Sequence, residues 1–366
     1  MHNEPIMKEI KLLLDCKVPV CLIYNTINKK FQQKIRYADV YRICREISGQ
    51  KQLVEDKTEF DMFVELLSDM KKKNPNGTNF QYDGTTTKEN KIVEINYVVV
   101  QTELMHYNSQ RFYDIVYVDV SNGTNKHDMG LILFSGINHE KQNVLLGYAL
   151  ALEDEYKCYF NIFGTFFEKF LKNRQPRVVI TDINFEMSKA LSNILTDKTQ
   201  HLFCQWHVKR YIKNRFIHLS VMNAESSAQM LYNLLISCIF TSDAEEFEEN
   251  IQYIFYKTRD DHLTEKDYQF LRELFAIKEK WAKSQICPHL FLASDSFNIV
   301  RAELLNQMIQ TKLFADSTLC SVFKMVADIE EQTNDRYSYE NCHDMSKDKV
   351  IKHPILREIK DQYSYY

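Results

Sequence analysis

The 366 residues are enough for two or three domains, or for one domain carrying a large insertion. Eight glycines and six prolines exclude collagen-like, linker-rich or disordered character and favour helices with short connections. A net charge of −4 excludes a uniformly basic nucleic-acid binder, so affinity for DNA must come from local patches, and no apolar run is long enough for a membrane span.

The nine cysteines follow no regular spacing and include no Cys-x-x-Cys, which reads as reduced thiols in the cytosol or nucleus. The opening residues, MHNEPIMKEIKLLLDCK, carry no secretory cleavage pattern.

In chain order, residues 1–77 read as a helical region. Ile10, Leu13, Leu14 and Val18 fall at helical spacing, and so do Val40, Ile43 and Ile47. Thr58 is the expected N-cap of EFDMFVELLSDMKKK, whose terminal lysines suit a helix C-terminus. KNPNGT then stops the helix. Strands are expected at NFQYDG and KIVEINYVVV, followed by a short helix at QTELMHYNSQR.

The central block runs from residue 112 to residue 207. DIVYVDV, MGLILFSGIN and NVLLGYALAL read as three strands, with HEKQ as a turn between the last two. An aromatic helix (YFNIFGTFFEKFLK), a strand (RVVIT), a helix (NFEMSKALSNIL), a strand (HLFC) and a basic helix (WHVKRYIKNRF) follow. An antiparallel meander continued by strand–helix alternation predicts an α/β fold with a mixed five-stranded, RNase H-like sheet and flanking helices. From about 218 to 300 the pattern is helical, an all-α insertion, with Ser242 and Glu245 as a capping box and Thr264 as a second cap. Helices resume at VRAELLNQMIQ and LCSVFKMVADIEE, and the polar stretch 331–366 is expected to be loosely ordered. The domain expectation is therefore 1–77, 78–330 and a polar tail.

Asp119 and Asp182 stand where apolar strands give way to polar residues, the end of an α/β sheet at which ligands sit. Two carboxylates held close repel unless a cation screens them, and hard Mg²⁺ or Mn²⁺ is the natural occupant. Each acid alone reads more readily as a turn residue or a helix cap than as a ligand. Glu303 alone reads as a surface helix glutamate, with Asn306 one turn on. Cys204 and His207 have the spacing of a metal pair, but a structural zinc site wants four ligands. A buried thiol beside a hydrogen-bonded histidine under Trp206 ranks above zinc there. Lys209, Arg210, Lys213 and Arg215 form the densest positive face in the block, suited to phosphate contacts or to plain solvation.

The ordered motifs resemble the MULE (Mutator-like element) transposase domain shared with the far-red-impaired-response regulators. They are DVSNGTN with Asp119 and Asn125, GINHEKQNVLLGYAL, VVITD with Asp182, CQWHVKR with Cys204, Trp206 and His207, and KWAKSQ with Trp281 followed by VRAELLNQM with Glu303 and Asn306. The match covers roughly residues 90–330. The resemblance implies a DDE-type transposase in which Asp119, Asp182 and Glu303 hold two Mg²⁺ or Mn²⁺ ions for DNA cleavage and strand transfer. It implies transposon-end DNA as partner, a nuclear location and a homo-oligomeric assembly, with no membrane partner. The alternative is a domesticated, catalytically silent DNA-binding or transcription-regulatory protein on the same fold. The sequence departs from the family after Asp119, where VSNGTN replaces the usual threonine- and tyrosine-containing run, and at Leu304, where a small polar residue is usual. Neither the family's zinc-binding recognition module nor its SWIM-type finger occurs among these residues, so recognition of transposon ends is assigned to no segment here.

Overall fold

A computed structural model describes residues 4–15, 18, 20–31, 40, 43–44, 58–87, 91–139, 142–220, 225–260, 265–286, 309 and 311–346. Two short helices, α1 (Glu4–Asp15) and α2 (Val20–Phe31), bury Ile6, Ile10, Ile23 and Ile27 together with Val40 and Ile43 in a small cluster. Helix α3 (Glu59–Lys73) begins at Thr58 as expected. The Thr58 hydroxyl accepts from Asp61 N–H at 3.1 Å, and the Asp61 carboxylate accepts from Thr58 N–H at 3.0 Å.

The sheet has seven strands, not the five expected from the sequence. They are β1 (Asn79–Thr86), β2 (Ile92–Gln101), β3 (Ile115–Ser121), β4 (Gly130–Ile137), β5 (Asn143–Ala151), β6 (Val178–Thr181) and β7 (Gln200–Phe203), in the order β1-β2-β5-β4-β3-β6-β7. The two additional strands are the segments around NFQYDG and KIVEINYVVV. They join the same sheet because β2 pairs antiparallel with β5, Val98 opposite Leu150 and Val100 opposite Tyr148. Only the β3–β6 and β6–β7 pairings are parallel.

Each central strand is apolar on both faces because helices cover both. Residues alternate between layers with the two-residue strand period. Leu131 and Leu133 face a core shared with α3 and the long helix α11 (Leu319–Ser346). Ile132, Phe134, Val116 and Val118 face the opposite core, built from α5 (Tyr156–Phe163), its continuation Gly164–Phe170 and α6 (Phe185–Ser192). That continuation is a π-helix rather than the single α-helix expected; Phe166, Phe167 and Phe170 are all buried along it. Phe166 stacks on Phe134 at 3.8 Å, directly over Gly147, where a Cβ would come within 3.0 Å of the ring. Between β2 and β3 lies α4 (Glu103–Arg111), capped by Thr102.

Past β7 the chain becomes helical: α7 (Gln205–Ser220), α8 (Glu225–Phe240), α9 (Ala244–Asp260) and α10 (Glu265–Ala276). Their core gathers Val208, Ile212, Leu235, Phe247, Leu271 and the fully buried Trp281, whose indole N–H donates to the Leu274 carbonyl at 2.9 Å. The cap of α9 is Asp243 rather than Ser242: its Oδ1 accepts from Glu245 N–H at 2.8 Å. Thr264 lies outside the described residues. Helix α11 continues to Ser346 through a stretch whose polar composition predicts loose order. Among the described residues no helix is long and apolar enough to cross a membrane.

Candidate active site

Strand parity places the two aspartates. Tyr117, Val178 and Ile180 share a cluster with Leu202 and Cys204, whereas Val116, Val118 and Val179 face the opposite core. Asp119 follows Tyr117 by two residues and Asp182 follows Ile180 by two, so both belong to the Cys204 side. Register then brings them together. Tyr117 is opposite Ile180 and Val118 opposite Thr181 in the parallel pair, and one step further sets Asp119 beside Asp182. Asp119 is not the strand's last residue: β3 runs two residues past it, to Ser121. Its side chain is 12% exposed against 40% for Asp182, so one carboxylate is sunk in the sheet and the other opens to solvent.

His207 stands between them. Its Nε2 lies 3.8 Å from Asp119 Oδ1 and its Nδ1 3.8 Å from Asp182 Oδ1. Both separations exceed direct hydrogen-bond length. The Cys-x-x-His spacing explains how the ring arrives. Cys204 N–H donates to the Thr181 carbonyl at 2.8 Å, pinning the end of β7 to β6. Helix α7 starts at the next residue, and the Cys204 sulfur accepts from His207 N–H at 3.4 Å. Cys204 thus sits at the N-cap and His207 at the third helical position. Trp206 packs edge-on against the imidazole at 4.9 Å, and the Arg210 guanidinium lies 5.4 Å over the Trp206 ring. Burial pushes the Cys204 thiol well up, and the charges of Asp119 and Asp182 add to the shift.

The peptide carrying Asp182 is braced from several sides. Asp182 Oδ1 accepts from Ile183 N–H at 2.8 Å, and its carbonyl accepts from Asn184 N–H at 3.0 Å and from the Thr181 hydroxyl at 2.8 Å. His201 Nε2 is 2.9 Å from that hydroxyl. Because the hydroxyl hydrogen goes to the Asp182 carbonyl, the imidazole donates from Nε2. Burial, with Lys280 nearby, brings the His201 pKa down to about 3, which keeps it neutral. Asn184 caps α6 and donates to Asp154, which also accepts from Tyr159. Sequence position set His201 near Cys204 and His207 but gave no signal for Thr181; the pairing of β6 with β7 brings the two together.

Asn125 serves the loop after β3. It is buried; its side-chain carbonyl accepts from the N–H groups of His127 and Met129 at 3.2 Å, and its amide donates to the Met129 carbonyl at 2.7 Å. Lys209, Arg210 and Lys213 are exposed on α7. Arg215 differs: it pairs with the buried carboxylate of Asp267 at 2.9 Å and lies over Phe270. Its charge is neutralised within the helical layer. Glu303 and Asn306 fall outside the described residues. Among the described residues no group of three or more histidines, cysteines, aspartates or glutamates is disposed to hold a metal ion. Asp119 and Asp182 alone offer two hard oxygen donors on one side of the sheet, a donor set that suits Mg²⁺ or Mn²⁺ in kind.

Residues 115–211 match the family model described as the MULE transposase domain, from the first residue of β3 into α7. The chain is similar to three Arabidopsis thaliana proteins. It is 24% identical to Protein FAR-RED IMPAIRED RESPONSE 1 over 318 residues, 86% of this chain and 35% of the relative. It is 26% identical to Protein FAR1-RELATED SEQUENCE 4 over 233 residues, 63% of this chain and 29% of the relative. It is 33% identical to Protein FAR1-RELATED SEQUENCE 2 over 97 residues, 26% of this chain and 12% of the relative. The chain therefore spans about a third or less of the length of these relatives.

Proposed function

We propose that this transposase-derived chain acts on DNA, and that Asp119, Asp182 and Glu303 form a DDE-type site for divalent-metal-dependent strand cleavage and transfer. The observation that carries the reading is that Asp119 and Asp182 each follow the last parallel β3–β6 pair, Val118 opposite Thr181, and flank the same His207 imidazole at 3.8 Å. An RNase H-like core is supported by the order β5-β4-β3-β6-β7, an antiparallel meander followed by two parallel additions. Bound Mg²⁺ or Mn²⁺ would activate the attacking oxygen and stabilise the leaving 3′ oxygen.

The chain's own groups set the geometry for that chemistry. Asp119, sunk in the sheet, is the fixed ligand. Asp182, open to solvent and held by Ile183 N–H and the Thr181–His201 brace, faces incoming DNA. Glu303 supplies the third carboxylate. Lys209, Arg210 and Lys213 meet phosphates from α7. The unit we assign to the site runs from α3 to α11, which both pack on the sheet, with its insertion near 218–300. A nuclear location and assembly into a homo-oligomer follow from the same reading.

The test is nicking of supercoiled plasmid by the full chain in Mg²⁺ or Mn²⁺. Asp182→Asn, folded by circular dichroism, should lose activity by roughly a hundredfold or more, as when a group serving only the transition state is removed. Equal nicking by wild type and variant would overturn the assignment. A second reading, a silent DNA-binding scaffold, is favoured by the His207 imidazole standing in the space between the two carboxylates. Calorimetry showing no Mn²⁺ binding to the wild type would select it.

A further inference from the structure

The end of the sheet opposite the two aspartates carries a second charged surface. Here β3 and β6 begin and β4 ends. The Asp114 carbonyl accepts from both Arg177 N–H at 2.8 Å and Val178 N–H at 3.1 Å, which joins the segment before β3 to the segment before β6. Segments 111–114 and 172–177 contain four cations, Arg111, Lys172, Arg174 and Arg177, against one carboxylate, Asp114. On a chain of net charge −4 this is a local reversal of sign.

Two of the cations are fixed by aromatic rings. The Arg111 guanidinium lies 4.1 Å over Tyr107, which is 48% exposed, and that of Arg174 lies 5.6 Å over Tyr113. Arg174 also donates to the Gln110 carbonyl at 2.9 Å, at the end of α4. Stacking on a ring orients a guanidinium. Arg177 is paired with Asp114 only loosely, at 3.7 Å on the surface. Lys172 and Asn173 both adopt left-handed backbone, φ 54° and 58°, in the turn that presents Arg174. Beside the stacks is a cavity of about 560 Å³ lined by Arg111, Phe112, Asp114, Asn138 and His139 among others. Lys172 and Arg174, after burial, also lower the His106 pKa, which places their positive field over this end of α4.

We propose that this surface is a second DNA-backbone contact, with Arg111 and Arg174 as its phosphate-binding residues and Tyr107 and Tyr113 as their supports. The proposal rests on the reading of the chain as a DNA-acting protein and adds where the duplex is held away from the carboxylates. Asp119 is four residues along β3 from Ile115, so this end lies roughly 13 Å from the acids at about 3.3 Å per residue.

The experiment is fluorescence anisotropy of the full chain with a labelled duplex across a salt series. Arg111→Ala/Arg174→Ala should bind about tenfold or more weakly irrespective of sequence, with the log–log salt slope reduced by about two. Because Arg174 also holds the end of α4, the single variant Arg111→Glu, with melting unchanged, supplies an independent arm and should weaken binding likewise. Wild-type affinity and slope in Arg111→Glu would overturn the surface and leave the DNA reading standing. No duplex binding by the wild type, or binding only to anionic lipid vesicles, would overturn both.

Discussion

The Thr102 hydroxyl lies 2.7 Å from each carboxylate oxygen of Glu330, across 228 residues of sequence. Thr102 caps α4 by accepting from Met105 N–H, so Glu330, reaching in from α11, meets the start of that helix. The contact ties α11 to the sheet in a region that water hardly reaches.

Burial pushes the Glu330 pKa up to about 7, outweighing the downward pull of the Thr102 and Met105 hydrogen bonds. The folded value lies above the unfolded one of 4.5, so the folded state binds the proton more tightly. The associated stability is fully present below pH 4.5 and is lost as pH rises through 7, a change of about 3 kcal/mol in order of magnitude. Urea melts at pH 5 and pH 8 should show wild type weaker at the higher pH. Glu330→Gln should remove that component, and an unchanged pH dependence in the variant would refute it.

Glu59 has the opposite sign. Burial pushes its carboxyl up, but hydrogen bonds from His127 and Lys126, Leu319 N–H and the Lys126 charge overcome this and hold it at about 2. Leu319 N–H donates to it at 2.9 Å and Lys126 forms an ion pair with it, so α3, the loop after β3 and the start of α11 meet at one carboxylate. The stability it confers is present above pH 4.5 and disappears as pH falls through 2. Acid unfolding of Glu59→Gln should lack a component of about 3 kcal/mol seen in wild type over that window. Identical acid profiles would count against it.

Cys204 acts as a helix cap, and serine is a better one. Cys204→Ser should therefore unfold within about 1 kcal/mol of wild type, whereas Cys204→Val, which has no acceptor, should lose about 1–2 kcal/mol. Metal analysis of the two proteins separates this from a zinc role: stoichiometric zinc in wild type, absent from Cys204→Ser, would show the sulfur to be a ligand.

Gly147 leaves room for an aromatic ring. A Cβ there would sit 3.0 Å from Phe166, which is held against Phe134 and cannot retreat. Gly147→Ala should cost about 1–3 kcal/mol in a denaturant melt. Gly147→Ala/Phe166→Leu should recover part of that loss; if it does not, the ring is not the obstacle.

The sequence was most informative where one period governed the chain. The apolar runs in DIVYVDV and VVIT located β3 and β6, and residue parity then places Asp119 and Asp182 on one side. It was silent where pairing between distant segments decides. That β1 and β2 enlarge the same sheet depends on β2 meeting β5, which neither strand's composition specifies. Arg215 reads like Lys213 in a list of basic residues until Asp267, 52 residues away, neutralises it. Cys-x-x-His carries the spacing of a metal pair and of a cap alike, and only the start of α7 distinguishes cap geometry. The switch from Ser242 to Asp243 at α9 is a one-residue shift between two adjacent good caps.

The β3–β6 register has a consequence for how such a chain can drift. The connection from β3 to β6 can lengthen or shorten at its turns without moving either aspartate, because the ladder, not the loop, sets their meeting. A single residue gained or lost inside β6 would instead turn Asp182 toward the phenylalanine-rich core and leave Thr181 or Ile183 in its place. Insertions should therefore accumulate between these strands and be purged within them.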